Sequence, residues 1–186
     1  MKKESTQYNK KGALIWLELG IKLLAERGIE KLNIDELSSR TGKAKTSFYH
    51  FFSSKSIFME RLALYWEYYY SLQYFEELNH IIDPKERFEK IIEMAHSRMK
   101  DEIVWIYFKE KGKNDDRISK IVLRVEEGRL AFITQIFTEM NFPYEVAKEK
   151  ASLFMYLFFG WSMLNTSNDS IEVFKKIVIQ NLLINK

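Results

Sequence analysis

The chain holds 186 residues, 46% of them hydrophobic and 15% aromatic, and its formal net charge at neutral pH is only +3. That apolar fraction can fill a core, which argues against a disordered chain. Cysteine is absent, which removes disulfide frameworks, thiolate metal sites and cysteine nucleophiles from consideration and fits a reducing compartment.

The charge is unevenly spread. Residues 1–60 hold 11 Lys and Arg against 7 Asp and Glu, whereas the remainder hold 18 against 19. The excess positive charge therefore sits in the first third, where a footprint for phosphate would be wanted. The opening "MKKESTQYNKK" is polar, and the amphipathic segment after it carries Glu18, Lys22 and Glu26. Neither a signal-peptide core nor a membrane span fits that pattern, so a cytoplasmic location is expected.

Along the chain the periodicity is helical. Ala13, Leu17, Gly20, Ile21 and Leu24 recur at the spacing of one helix face, and Gly28 supplies the stop. In "NIDELSSRTG", Asn33 reads as a cap with Glu36 as its capping-box partner, Ile34 and Leu37 face inward, and Gly42 terminates a second, short helix. A third helix, "AKTSFYHFF", must follow almost at once, and Ser53 or Ser54 caps a long fourth helix from about residue 55 to 79. Two short helices joined by a tight glycine turn form a helix-turn-helix.

In such a motif the second short helix enters the major groove with its N-terminal residues at the base edges. Lys43, Lys45, Thr46 and Ser47 lie at that end, where backbone N–H groups also favour an anion. Phe48 and Phe52, four residues apart, share a face and can anchor the helix to Leu17, Leu24 and Leu37. Tyr49 and His50 then project elsewhere, toward DNA. The competing reading is a basic, solvated helix with a packed aromatic side.

The stretch "LLAERGIEKLNIDELSSRTGKAKTSFYHFFSSKSIFMERL" resembles the N-terminal DNA-binding domain of the TetR (tetracycline-repressor) family of bacterial transcription regulators, over residues 13–62. Glu26-Arg27-Gly28, Gly42, Lys45, Ser47, Tyr49, His50, Phe52, Ser54 and Lys55 all coincide with the family pattern. The resemblance implies that Tyr49, His50 and Lys55 contact phosphates or bases, and that Lys45 to Ser47 open the recognition helix. Asn33 stands where the family usually has a threonine that caps the second helix and touches phosphate, and Asn can do both. Lys43 and Ala44 replace the common Val-Ser, and Phe51 replaces the second histidine of a pair, which leaves the binding mode intact and the operator sequence unread.

Further along, Asp83-Pro84-Lys85-Glu86 is a helix start, and a helix is predicted from about 84 to 100. "EIVWIYFKEKG" reads as another, stopped by Gly112, and Ile118, Ile121, Val125 and Phe132 continue at helical spacing in the next. Pro143 opens a further helix, and Asn168 or Asp169 caps the last. The fold class is therefore all-α, about nine helices: a helix-turn-helix domain over residues 1–54 and a larger helical domain over 55–186, bridged by the fourth helix. By the resemblance, the larger domain senses a ligand and dimerises.

The last two helices are apolar on more than one face. Phe154, Phe158, Trp161, Ile171, Phe174 and Val178 are expected at a homodimer interface, the alternative being a central helix in a monomeric core. The apolar stripe of the fourth helix, through Leu62, Tyr65, Tyr69 and Leu72, could line an effector pocket with Trp105, Phe108 and Phe132, unless it is plain core. Such an effector would be apolar or aromatic, because residues beyond 60 carry no net positive charge.

The alternative reading, a ferritin-like helical metalloprotein, rests on two Glu-x-x-His pairs, Glu77 with His80 and Glu93 with His96, since paired motifs of this kind hold metals in such bundles. The pairs lie on consecutive helices separated by Asp83-Pro84, and solvated polar faces explain them better. No Ser/His/Asp order, phosphate loop or zinc spacing is visible. The expectation is a non-enzymatic, ligand-responsive repressor with no cofactor or metal. Its partners would be a pseudo-palindromic double-stranded DNA operator, a second copy of itself and a small effector, with no membrane.

Overall fold

A computed structural model of the protein describes residues 11–97, 103–164 and 170–183. Helix α1 spans Lys11–Arg27, and a short 3-10 turn at Ile29–Lys31 leads to α2, Ile34–Thr41, and α3, Lys45–Phe51. Helix α4 spans Lys55–Glu67, passes through a π-helical turn at Tyr68–Leu72 and resumes as α5, Gln73–Leu78. Then come α6, Pro84–Ser97; α7, Ile103–Gly112; α8, Asp116–Glu139; α9, Tyr144–Leu164; and α10, Ile171–Leu182. With the interrupted stretch from α4 to α5 counted once, the described residues form nine α-helices and no strand, the all-α architecture that the periodicity predicts.

The described residues fall into two compact units. One comprises those of Met1–Tyr70 with Ile103–Leu123; the other comprises those of Ser71–Glu102 with Arg124–Lys186. The unit that contains the helix-turn-helix thus also takes in α4 and α7, and is larger than residues 1–54.

Its core is built from α1 outward. Trp16, Leu17, Leu23 and Leu24 are buried, as are Leu37 of α2, Phe48 of α3 and Phe58 and Leu62 of α4, and α1 packs against all three of those helices. Gly20 permits the close approach of α1 to α4: a Cβ there would stand 2.9 Å from a Leu62 methyl and 3.0 Å from the Phe58 ring. Farther along α4, Trp66 packs on Phe108 of α7 at 5.3 Å between ring centres. A ring of Arg117 bonds secures the start of α4: Arg117 donates to Glu60 at 2.8 Å, to Ser56 at 2.7 Å and to Asp115 at 3.2 Å.

The second unit packs α6, α8, α9 and α10 around Phe88, Ile92, Ile136, Phe137, Phe154 and Phe174. Asp83 caps α6 as its sequence implies, its Oδ1 accepting from the Lys85 and Glu86 N–H groups at 2.7 and 2.9 Å. Arg87, almost fully buried, donates to Glu139 at 2.7 Å and to the Ile81 carbonyl at 2.6 and 2.9 Å, so its charge is paired and its fork is satisfied. Asn141 adopts a left-handed φ of 67° just past α8, a position that Asn tolerates.

Three sequence expectations change. The fourth helix is not one uninterrupted α-helix, because the π turn at Tyr68–Leu72 inserts a residue into the ladder, and apolar periodicity is blind to a single insertion. Ser170 holds the N-cap position of α10 with no side-chain capping bond, and Asn168 and Asp169 lie outside the described residues. The end of the helix predicted to reach residue 100 lies outside them too.

The third change is the largest. Phe154, Phe158, Phe174 and Val178 are at most 5% exposed within a single chain, in the core of the second unit, and so are not a face awaiting a partner. Trp161 and Ile171 are half-buried, with Trp161 packed on Phe174 at 5.3 Å. The small residues Ala147 and Ala151, both fully buried, identify the inward stripe of α9. On its outward side lie Leu153, Tyr156 and Leu164, and Val173 is exposed on α10.

This placement makes a stability prediction. Phe174→Ala should destabilise the fold by about 3–5 kcal/mol, the range for removing a buried aromatic ring, read as a lower urea midpoint. An unchanged midpoint would return Phe174 to the surface.

Candidate nucleic-acid interface

The second and third helices are set by local chemistry. Asn33 Oδ1 accepts from the Glu36 N–H at 2.9 Å, capping α2 as its sequence implies. The reciprocal half of the capping box is absent: the Asn33 N–H donates to the Lys31 carbonyl, and the Glu36 carboxylate turns to Arg40 at 2.7 Å and Arg27 at 3.6 Å. An ion pair on each side outcompetes one capping bond for the same carboxylate. Gly42 ends α2 at φ 66°, where a Cβ would be strained, and the chain re-enters helix at Lys45. The Ser38 hydroxyl donates to the Lys43 carbonyl, and the Lys43 N–H donates to Thr41 Oγ1 at 3.4 Å, which ties the turn to α2.

Helix α3 is held by its aromatic face. Phe48 and Phe52 have no exposed surface. Phe48 meets Trp16 edge-on at 5.5 Å, Phe52 at 5.1 Å and Phe58 at 5.1 Å, and Phe52 meets Phe58 at 5.0 Å. These are favourable ring separations. The opposite face is open: Thr46 and His50 are exposed, Ser47 is half-buried, and Tyr49 is 51% exposed. Asn33, Lys43, Lys45 and Lys55 are exposed as well. The structure therefore gathers Lys43, Lys45, Thr46, Ser47, Tyr49 and His50 on and beside α3, and sets Lys55 at the first turn of α4, behind the Ser54 cap, whose Oγ accepts from the Ile57 N–H at 3.2 Å.

The basic residues of this region are not equivalent, which the sequence did not reveal. Lys45 is ion-paired with Asp35 of α2, and that hydrogen bond raises its pKa above the ordinary lysine value. Its charge is locally compensated. Lys43 and Lys55 have no ion pair among the described residues. Spacing alone could not separate them, because Asp35 reaches Lys45 across the turn rather than along one helix.

The residues expected around an effector divide. Leu62 and Phe108 are wholly packed by protein in the first unit. Tyr65 is buried and packs on the half-buried Tyr69 with the rings tilted and 4.4 Å between their centres; burial first, and Glu18 second, push the Tyr65 hydroxyl far above its usual pKa. Burial likewise raises Tyr69. Trp105 is half-buried with Lys109 over its ring at 4.7 Å. Phe132 belongs to the other unit, where it stacks on Phe75 at 4.5 Å.

The Glu-x-x-His pairs have other engagements. Glu77 accepts from Gln73 at 3.2 Å, and Glu93 pairs with Lys90 at 3.1 Å and Lys175 at 3.9 Å. Among the described residues no group of three or more His, Asp or Glu side chains could hold a metal ion, and no helix is long and apolar enough to cross a membrane.

Residues 17–62, the segment holding the capped α2, the glycine turn and α3, match the model for the bacterial regulatory proteins of the tetR family. No curated protein sequence matches the chain. Its fold is similar to that of a transcriptional regulator from Saccharomonospora viridis solved in complex with choline, with a TM-score of 0.80, 17% identity, and coverage of 93% of this chain and 96% of that one. It is also similar to a TetR transcription regulator from Haloarcula marismortui, with a TM-score of 0.71, 10% identity, and coverage of 92% and 96%. A third likeness is to Thermus thermophilus FadR, a TetR-family transcriptional repressor in complex with lauroyl-CoA, with a TM-score of 0.59, 13% identity, and coverage of 92% and 93%. The chain carries the N-terminal domain of the tetR family of bacterial regulatory proteins, on the all-helical fold of solved TetR-family regulators.

Proposed function

We propose that the protein is a repressor that binds a pseudo-palindromic DNA operator as a homodimer in the cytoplasm, and that a small effector releases it. The observation that carries this reading is the division of α3 into a buried edge, Phe48 and Phe52, and an exposed polar edge, Thr46, Tyr49 and His50. A short helix so anchored presents donors, acceptors and one aromatic ring in a fixed orientation, which is what reading a major groove requires. Lys43 and Lys55 add charge for phosphates, Ser47 and Lys45 border them, and Asn33 offers its remaining amide donors to the backbone. Catalysis has no part in this reading.

Two copies are needed because one three-helix head covers only a half-site, and a symmetric operator calls for a symmetric protein. The outward residues Leu153, Tyr156 and Leu164 of α9, with Val173 of α10, supply the apolar face for that contact. In this reading the effector site lies at the half-buried rings of Tyr69 and Trp105, with the buried Tyr65 packed on Tyr69, and such aromatic surface with a few hydroxyls suits an apolar or aromatic molecule. The solved relatives with choline and with lauroyl-CoA support ligand binding as a use of this fold. Ligand entry there would act on α4, whose first turn carries Lys55.

The test of DNA reading begins with fragments selected by the protein from a random DNA pool. A Tyr49→Ala, His50→Ala double variant should bind the selected fragment at least about tenfold more weakly, a loss of about 1.4 kcal/mol, with its helical content unchanged. Equal binding would overturn the assignment of α3.

Assembly has its own test. A variant with Tyr156→Glu and Leu164→Glu should shift the protein from dimer to monomer by light scattering and weaken operator binding together. A monomeric parent protein would contradict the homodimer.

A further inference from the structure

Lys111, at the end of α7, lies outside the segment that matches the family's N-terminal domain. A cavity of about 300 Å³ is nevertheless lined by both Lys111 and Lys55, with Ser56 and Met59 of α4 and Ile29 of the turn after α1. All five residues belong to the first compact unit. Ile29 and Met59 supply the apolar part of the lining, and both lysines are exposed.

The carboxylates of this corner are already engaged. Glu60 and Asp115 are both bonded to Arg117, and Arg117 holds the Asp115 carboxyl below the usual carboxylate range. Glu110 is paired with Lys113. Neither Lys55 nor Lys111 has an ion pair among the described residues. The frame beneath them is fixed, because the guanidinium of Arg117 joins Ser56 and Glu60 of α4 to Asp115 of the turn after α7. Two exposed, unneutralised cations on one small cavity repel each other unless an anion lies between them.

We infer that Lys111 is a second phosphate clamp of the DNA interface, holding the phosphodiester next to the one that Lys55 holds, across this cavity. The inference rests on the operator-binding reading of Lys55, and it extends the DNA-contacting surface beyond residues 17–62 to the α7–α8 turn. Lys111 carries no base information; it fixes how the reading helix is seated on the backbone. The occupant is a phosphate of the duplex, because Lys55 stands on the first turn of the helix that follows α3, while a free phosphate would fit the same chemistry without DNA.

The experiment measures binding of the full chain to a mixed-sequence DNA duplex across a series of salt concentrations. Phosphate contacts are sequence-independent, and each contributes about 0.9 to the slope of log K against log salt. Lys111→Ala and Lys55→Ala should each flatten that slope by about 0.9, and Lys111→Gln should match Lys111→Ala. Lys148→Ala, which removes the same charge from the exposed start of α9, should leave the slope alone. An unchanged slope for Lys111→Ala beside a flattened one for Lys55→Ala would overturn the inference and leave the operator reading standing. If neither lysine moved the slope, both would fall. Inorganic phosphate titrated against the DNA-free protein separates the other source. Phosphate binding lost in Lys111→Ala, with the DNA slope intact, would make the cavity a free-anion site and overturn the proposal.

Discussion

Everything that the exposed edge of α3 can do depends on the burial of one ring. Phe48 has no exposed surface and sits among Trp16, Phe52 and Phe58 at centroid distances between 5.1 and 5.5 Å. Burying such a ring is worth about 1.5–3 kcal/mol, and each aromatic pair adds about 0.5–1.5 kcal/mol. A seven-residue helix has little stability of its own, so this contact decides both that α3 exists and how it is rotated. Once Phe48 and Phe52 point inward, helical geometry leaves Thr46, Tyr49 and His50 outside. Gly20 serves the same end from α1, because a Cβ there would crowd the Leu62 methyl and the Phe58 ring, and those side chains would have to give way.

Much of this was legible in the sequence because the signals are local. Asn33, Gly42, Ser54 and Asp83 each act within four residues of their own position, and each stands where its sequence neighbourhood puts it. The phase of α9 was not legible in the same way. A helix with apolar residues on two faces offers two candidate inward stripes, and only the small side chains of Ala147 and Ala151, which let a neighbouring helix approach, mark the one that is buried. The large rings of Phe154 and Phe158 looked like an interface and are core. The π turn at Tyr68–Leu72 was hidden for another reason: one inserted residue changes the ladder without changing composition or the broad apolar pattern.

Charge shows the limit of reading by segment. Counting by thirds puts the positive excess in residues 1–60 and treats the rest as neutral. In three dimensions Asp35 compensates Lys45, whereas Lys111, from the supposedly neutral remainder, lines the same cavity as Lys55. The quantity that an approaching polyanion meets is the unpaired charge at one place, and pairing is a tertiary property. The same principle governs the proposed response to an effector: a ligand shifts the protein between states only by the difference in its affinity for them, so a site against α4 is useful to the extent that α4 differs between the two.

The central claim is that the exposed edge of α3 discriminates among DNA sequences and does not merely attract phosphate. The most direct measurement is the ratio of affinities, at one salt concentration, for a fragment selected from a random pool and for a mixed-sequence duplex of equal length. A ratio of about 10³ or more is expected for specific recognition. Equal affinities would mean that only the backbone is being held, and would contradict it.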